Sequence, residues 1–250
     1  MGRLSQTLGP SIDASSLEGK KLASKLGSTT VGKLEEAVFK EGVSAFQEWR
    51  QKSKNGILPI GISAVGKTTL LSKFDVAGPN LFLDFNRTLR TTIDKSRMRR
   101  EFAERCNGIE YVQKIDVPGE LPEQWSQAYF DRNPRILVVL VDDRSPEIHT
   151  NCIRQFLKQI KSGPTFWQVA KTLFGFRTNN LSRVIFVVNK SDKIGDDSML
   201  KLLNDYRPLL ADIQSSFNVS VQIFQSSLTI GTEKSLEDLF SAIIDGLTRK

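Results

Sequence analysis

The spacing of apolar residues along the chain changes character near Asn55. Up to about residue 31, leucines are scattered among Ser, Gly, Lys and Thr without a period, the composition of a mobile arm. Over 32–54, Leu34, Val38, Ala45, Phe46 and Trp49 recur near helical spacing among Lys, Glu and Gln, which predicts an amphipathic helix. Beyond Asn55-Gly56, short apolar runs alternate with helical stretches. The runs predict strands at Ile57–Ile60, Ile109–Ile115, Ile136–Val141, Val184–Val188 and Val219–Phe224, with a further strand around 81–85. Helices are predicted at about 67–75, 122–130, 148–160, 196–216 and 234–248. This alternation implies an α/β domain over 55–250: a mostly parallel sheet with helices on both faces. A segment at about 161–182, carrying Phe166, Trp167, Phe174 and Phe176, interrupts the alternation and reads as an insertion.

The loop between the first strand and its helix is the most informative segment. Gly61-Ile-Ser-Ala-Val-Gly-Lys-Thr68 fits G-x-x-x-x-G-K-[ST] in the context that motif requires. Glycines at 61 and 66 let the backbone wrap a polyphosphate closely. The N–H groups through Ser63, Ala64, Val65 and Gly66, and those of Lys67, Thr68 and Thr69 at the helix start, then point at the anion. Lys67 would reach the β- and γ-phosphates, and the Thr68 hydroxyl would ligate Mg²⁺. The same loop serves ATPases, kinases and GTPases, so it leaves the base undetermined.

Two aspartate sites compete to be the metal-side carboxylate. Asp142-Asp143 ends an apolar strand in the manner of an ATPase. Asp116, in Asp116-Val-Pro-Gly119, is followed three residues on by a glycine, so its turn can bring the carboxylate to Mg²⁺ and the Gly119 N–H to the γ-phosphate. The base is addressed by Asn189-Lys-Ser-Asp192 at the end of another apolar run. The Asp192 carboxylate can accept two parallel hydrogen bonds from guanine N1–H and its 2-amino group, which adenine lacks. Asn189 would tie this loop to the phosphate loop, and the Lys190 stem would cover a purine face. Ser226-Ser227-Leu228 ends the next strand with small residues suited to offering a backbone N–H to guanine O6.

In GISAVGKT, DVPG, NKSD and SSL, taken in this order, the chain resembles the Ras-like P-loop GTPase superfamily, in its translation-factor-related class, over roughly 55–250. The resemblance implies a six-stranded, mostly parallel sheet with the nucleotide at the carboxyl ends of its strands. It also implies two switch segments and a cycle between GTP and GDP. A switch threonine closing over Mg²⁺ is expected among Thr88, Thr91 and Thr92. Thr91 ranks first, because a basic residue followed by Thr-Thr is similar to the corresponding switch of heterotrimeric G-protein α subunits. Arg87 or Arg90 is a candidate for an arginine acting in cis, set against membership of a solvated basic stretch. Where Ras-like enzymes often carry glutamine and translation factors histidine to orient water, this chain has Glu120. A carboxylate there repels the γ-phosphate yet can accept a proton from water, which predicts slow hydrolysis without a partner.

Composition narrows the remaining possibilities. The chain carries 35 Lys+Arg against 28 Asp+Glu, a net +7 that suits polyanionic partners. No motif or aromatic-basic repeat supports nucleic-acid binding. Two cysteines and a single histidine, His149, match no metal spacing or disulfide framework and point to a reducing, cytoplasmic setting. The first residues lack the apolar core of a secretory signal, and Gln6 stands where a myristoylation motif needs Ser or Thr. A protein partner is expected at 161–180, where Phe166, Ala170, Leu173 and Phe174 can share a helical face edged by Lys161, Lys171 and Arg177, or at the N-terminal helix; peripheral membrane contact is a further expectation. Two rivals stay open: a guanine-nucleotide module without useful turnover, and an ATPase or kinase that uses Asp142.

Overall fold

A strand forms within or overlapping each of the five apolar runs at 57–60, 109–115, 136–141, 184–188 and 219–224 in the computed structural model, which describes residues 56–74, 91–98, 100–105, 109, 111–163, 181–228 and 233–248. In chain order the elements are β1 (Gly56–Ile60), α1 (Lys67–Ser72), β2 (Thr92–Arg97), α2 (Arg100–Arg105), β3 (Tyr111–Asp116), α3 (Pro122–Arg132) and β4 (Ile136–Val141). There follow α4 (Pro146–Ser162), β5 (Arg183–Asn189), a 3₁₀ turn (Ser191–Lys193), α5 (Asp196–Phe217), β6 (Val221–Ser226) and α6 (Glu233–Thr248). The described residues fall almost wholly in one of two units of the chain, Ser53–Lys161 with Asn180–Lys250. The arm and helix expected at 1–54, the strand expected at 81–85 and most of the insertion lie outside the described residues.

One sheet of six strands runs β2-β3-β1-β4-β5-β6. Every pairing is parallel except β2 with β3. Period-two alternation with both faces buried explains why β4 throughout, and β5 from Val184 to Val188, are apolar. Leu58, Ile60, Leu137, Val139, Val141, Val184, Phe186 and Val188 face a core closed by α3, α4 and α5. Their neighbours Ile57, Ile136, Val138, Leu140, Ile185 and Val187 face a second core with α1 and α6. A strand buried on both faces needs a helix layer on each side, and this is the doubly covered, mostly parallel six-stranded sheet that the alternation predicted.

Helix ends follow local chemistry. Pro122 opens α3, where its missing N–H costs nothing. Asn133 closes α3 at φ 46° and Asn218 closes α5 at φ 51°, left-handed positions that Asn tolerates. Each donates its N–H to the carbonyl four residues back, on Tyr129 and Gln214.

The sixth described strand is β2, Thr92–Arg97, a segment in which the sequence showed only switch candidates and basic residues. Its sequence TIDKSR has almost no apolar signal because it is an exposed edge strand. Its order comes from the ladder with β3, from Thr92 opposite Asp116 to Arg97 opposite Tyr111, and from Lys95, whose ammonium lies 5.1 Å from the Tyr111 ring centroid.

Candidate functional site at the carboxyl edge of the sheet

Parallel strands end together. The loops that follow β1, β3, β4, β5 and β6 therefore share one edge of the sheet, and antiparallel β2 brings its amino end, with Thr91 and Thr92, to that edge. Every motif singled out from the sequence lies there or in the turn just beyond. Thr88, Arg87 and Arg90 lie outside the described residues.

In the phosphate loop, Gly61 has φ 147° and Gly66 has φ 102°, conformations that a side chain would strain. Space forbids a side chain as well: a Cβ on Gly66 would stand 2.6 Å from Asn189 Nδ2 and 2.9 Å from a Leu228 methyl. Between the glycines, Ser63 is partly buried, Ala64 is exposed at φ 59°, and Val65 is fully buried in the second core. The buried Lys67 ammonium donates to the carbonyls of Gly61 (3.0 Å) and Ile62 (3.1 Å). Burial pushes its pKa from the ordinary 10.5 down to about 8, against the opposing pull of the Asp116 charge. An anionic ligand at the loop would favour the charged form.

The Thr68 hydroxyl donates to Asp116 Oδ2 at 2.7 Å, joining residues 48 positions apart. Half-buried Thr69 follows it on α1. A hydroxyl and a carboxylate side by side are hard oxygen donors, and together with phosphate oxygens and water they suit Mg²⁺, which takes few protein ligands. Thr68 and Asp116 thus fit the metal implied by the motifs. Asp142, the rival carboxylate, is held instead by Arg144, Lys190 and His149.

Gly119 packs directly on the phosphate loop: a Cβ there would lie 2.5 Å from Ile62 C and from Ser63 Cα. The Asp116–Gly119 turn is held from behind by the buried Trp125 indole, whose N–H donates to the Pro118 carbonyl at 2.5 Å. Gly119→Ala therefore must push the two loops apart. The D-x-x-G motif implies that the Gly119 N–H serves a γ-phosphate, and on that expectation GTP affinity should fall on the order of tenfold further than GDP affinity. Calorimetric titration of the variant with both nucleotides measures this. The next residue, Glu120, is exposed.

Asn189 joins three loops. Its Nδ2 donates to the Val65 carbonyl at 2.8 Å, and its Oδ1 accepts the Leu228 N–H at 3.1 Å. Beyond it Lys190 sits at φ 60°, and Asp192 stands exposed in the 3₁₀ turn. Ser226, Ser227 and Leu228 are all buried, and the Ser226 Oγ has no hydrogen-bond partner among the described residues.

Sequence reasoning missed the group around Asp142. Arg144 and His149 meet that carboxylate, and the Tyr206 hydroxyl donates to the Asp142 backbone carbonyl, from a turn and two different helices. Only the run Asp142-Asp143-Arg144 after an apolar strand hinted at it.

No family model matches the chain, and no curated protein matches it. Among solved structures it is similar to Toc33 from Arabidopsis thaliana, in a dimerization-deficient mutant, at 14% identity over 85% of this chain and 92% of that one, with a TM-score of 0.48. It is also similar to translation elongation factor SelB from Methanococcus maripaludis in complex with the GTP analogue GppNHp, at 16% identity over 79% of this chain and 34% of that one, TM-score 0.43. A bacterial selenocysteine-specific elongation factor, EF-Sec, is 18% identical over 78% of this chain and 29% of that one, TM-score 0.46. The chain spans about a third of the length of either elongation factor.

Proposed function

We propose that this protein binds GTP and GDP with Mg²⁺ and hydrolyses GTP to GDP and phosphate, serving as a nucleotide-dependent switch or assembly factor for a partner. The observation that carries the reading is Asn189, which holds the phosphate loop by Val65 and the Ser226–Leu228 loop by its last N–H. A base gripped by Asp192 and a polyphosphate wrapped by Gly61–Thr69 would then be parts of one ligand.

In this reading, Lys67 exchanges the carbonyls of Gly61 and Ile62 for β- and γ-phosphate oxygens. The N–H groups from Ser63 to Thr69 fix the phosphates, so their positioning requires no reorganisation during the reaction. Thr68 and Asp116 hold Mg²⁺, with Thr91 as the switch residue proposed to join them; when bound, the ion neutralises charge on the β- and γ-phosphate oxygens. Water attacks the γ-phosphoryl group in line with the departing β-phosphate oxygen. Gly119 offers its N–H to the γ-phosphate, and Glu120 is the residue assigned in this reading to accept a proton from that water.

Glu120 also motivates the second reading, a guanine-nucleotide module of a larger complex with little turnover, because its charge opposes the γ-phosphate. We expect an unassisted single-turnover rate on the order of 10⁻³ s⁻¹ or below. A fast rate left undiminished in Glu120→Ala would remove Glu120 from both arguments. Titration with GTP, GDP and ATP tests the base assignment, and ATP binding tighter than GTP would overturn it.

A protein that reads the two nucleotide states is proposed to meet segment 161–180 or the helix at 32–54, in the cytoplasm. Among the described residues no helix is long and apolar enough to cross a membrane, and the lipid contact proposed here is peripheral. Co-sedimentation with anionic vesicles in the GTP and GDP states checks that contact.

A further inference from the structure

Asp142 is fully buried, and a bare carboxylate at such a place is costly. Five hydrogen-bond donors and cations surround it. Its Oδ2 accepts from Arg144 Nε (2.8 Å) and Lys190 Nζ (2.9 Å), with Arg144 Nη2 at 2.6 Å. Its Oδ1 accepts the Arg144 N–H at 3.2 Å and faces His149 Nε2 at 3.1 Å. Burial alone would raise the carboxyl; hydrogen bonds from His149, Arg144 and Lys190 and the Lys190 charge more than reverse this, and hold it well below the usual carboxylate range.

The two cations do not stop at Asp142. Lys190 Nζ also donates to the Ala64 carbonyl at 3.0 Å. Arg144 Nη2 lies over the same rim, 3.2 Å from the Ala64 carbonyl and 3.4 Å from that of Ser63. Ala64 and Lys190 both have left-handed backbones, at φ 59° and 60°, which non-glycine residues keep where their surroundings impose them. The Asp142 backbone is anchored in turn, because the Tyr206 hydroxyl donates to its carbonyl at 3.1 Å and the His149 ring packs edge-on to Tyr206.

We propose that Asp142 is a positioning residue for nucleotide binding, which seats Lys190 and Arg144 on the Ser63–Ala64 carbonyls and so sets the base-recognition loop against the phosphate loop. The inference rests on the guanine-nucleotide reading above. Two cations sharing one rim repel each other unless a carboxylate lies between them. With asparagine in its place the shape remains, but Lys190 leaves the rim and the purine platform loosens.

A double-mutant cycle on the full chain, with GDP and Mg²⁺ as probe, tests the idea. Asp142→Asn is expected to weaken GDP about tenfold in the wild-type background and less than about twofold in Lys190→Ala, because both changes remove the same contact. Equal losses in both backgrounds would overturn the positioning role, since a merely structural carboxylate acts alike in each. Should Asp142→Asn fail to fold by thermal melting, half-exposed Arg144 supplies the second cycle. Arg144→Gln and Lys190→Ala share the carboxylate and are expected to couple, and strict additivity would sink the proposal. ADP binding as tightly as GDP to the wild-type protein would instead overturn the guanine reading.

Discussion

Replacing Lys67 with alanine is expected to weaken GTP and GDP binding by two to three orders of magnitude, while the protein without nucleotide melts no lower than the wild type. The first effect follows from losing two charge-assisted hydrogen bonds to phosphate, each worth about 1.5–3 kcal/mol. The second follows from the cost of burying the ammonium. A pKa brought from 10.5 to about 8 disfavours the charged form by about 3 kcal/mol at neutral pH. That cost roughly cancels the ammonium's two charge-assisted hydrogen bonds to the carbonyls of Gly61 and Ile62, at about 1.5 kcal/mol each, so removing the side chain leaves ligand-free stability nearly unchanged. The pH dependence has a definite sign. Between about pH 8 and 10.5 the unfolded chain holds the Lys67 proton and the folded one has lost it, so ligand-free wild-type stability should rise across that window. Lys67→Ala should lack the rise. Calorimetric titration and thermal melting at pH 7, 8 and 9.5 read both effects; a variant that binds GTP normally would remove Lys67 from the site.

Asp192→Asn should exchange one base for another. The carboxylate only accepts hydrogen bonds, which matches the N1–H and 2-amino donors of guanine. An amide presents one acceptor and one donor, so its NH₂ would face the 2-amino group of guanine with no acceptor. Xanthine keeps N1–H and carries a carbonyl at position 2, and both pair with the amide. GTP affinity is expected to fall on the order of 10³-fold, with XTP gaining what GTP loses. Asp192 is exposed in the 3₁₀ turn, so the change should leave thermal stability nearly untouched. Competition of the two nucleotides for the variant checks the exchange. Equal losses for GTP and XTP would mean that Asp192 supports the loop without reading the base.

A central strand and an edge strand show where the fold was legible. β4, ILVVLV, is buried on both faces and so carries its signal in every residue. β2, TIDKSR, lies at the sheet edge, exposes Thr92 and Ile93, and gains its order from pairing with β3. The same contrast separates the site residues. Gly61, Gly66 and Gly119 were recognisable because close backbone approach excludes every other residue type at those positions. Arg144 and His149 were not, since an arginine after an acidic pair and a histidine on an amphipathic helix are compatible with many surroundings.

By itself, the sequence determined the alternation of apolar runs and helices, the phosphate loop and the order of the motifs. These depend on local periodicity, backbone freedom and residues within a few positions of one another. Tertiary structure decided that Asp116, rather than Asp142, stands beside Thr68. It also decided that Asn189 spans two loops, and that Asp142 holds Lys190 from the loop after β5. Each of those contacts depends on how the strands are ordered in the sheet, and therefore on long-range packing of the two cores that no local pattern encodes.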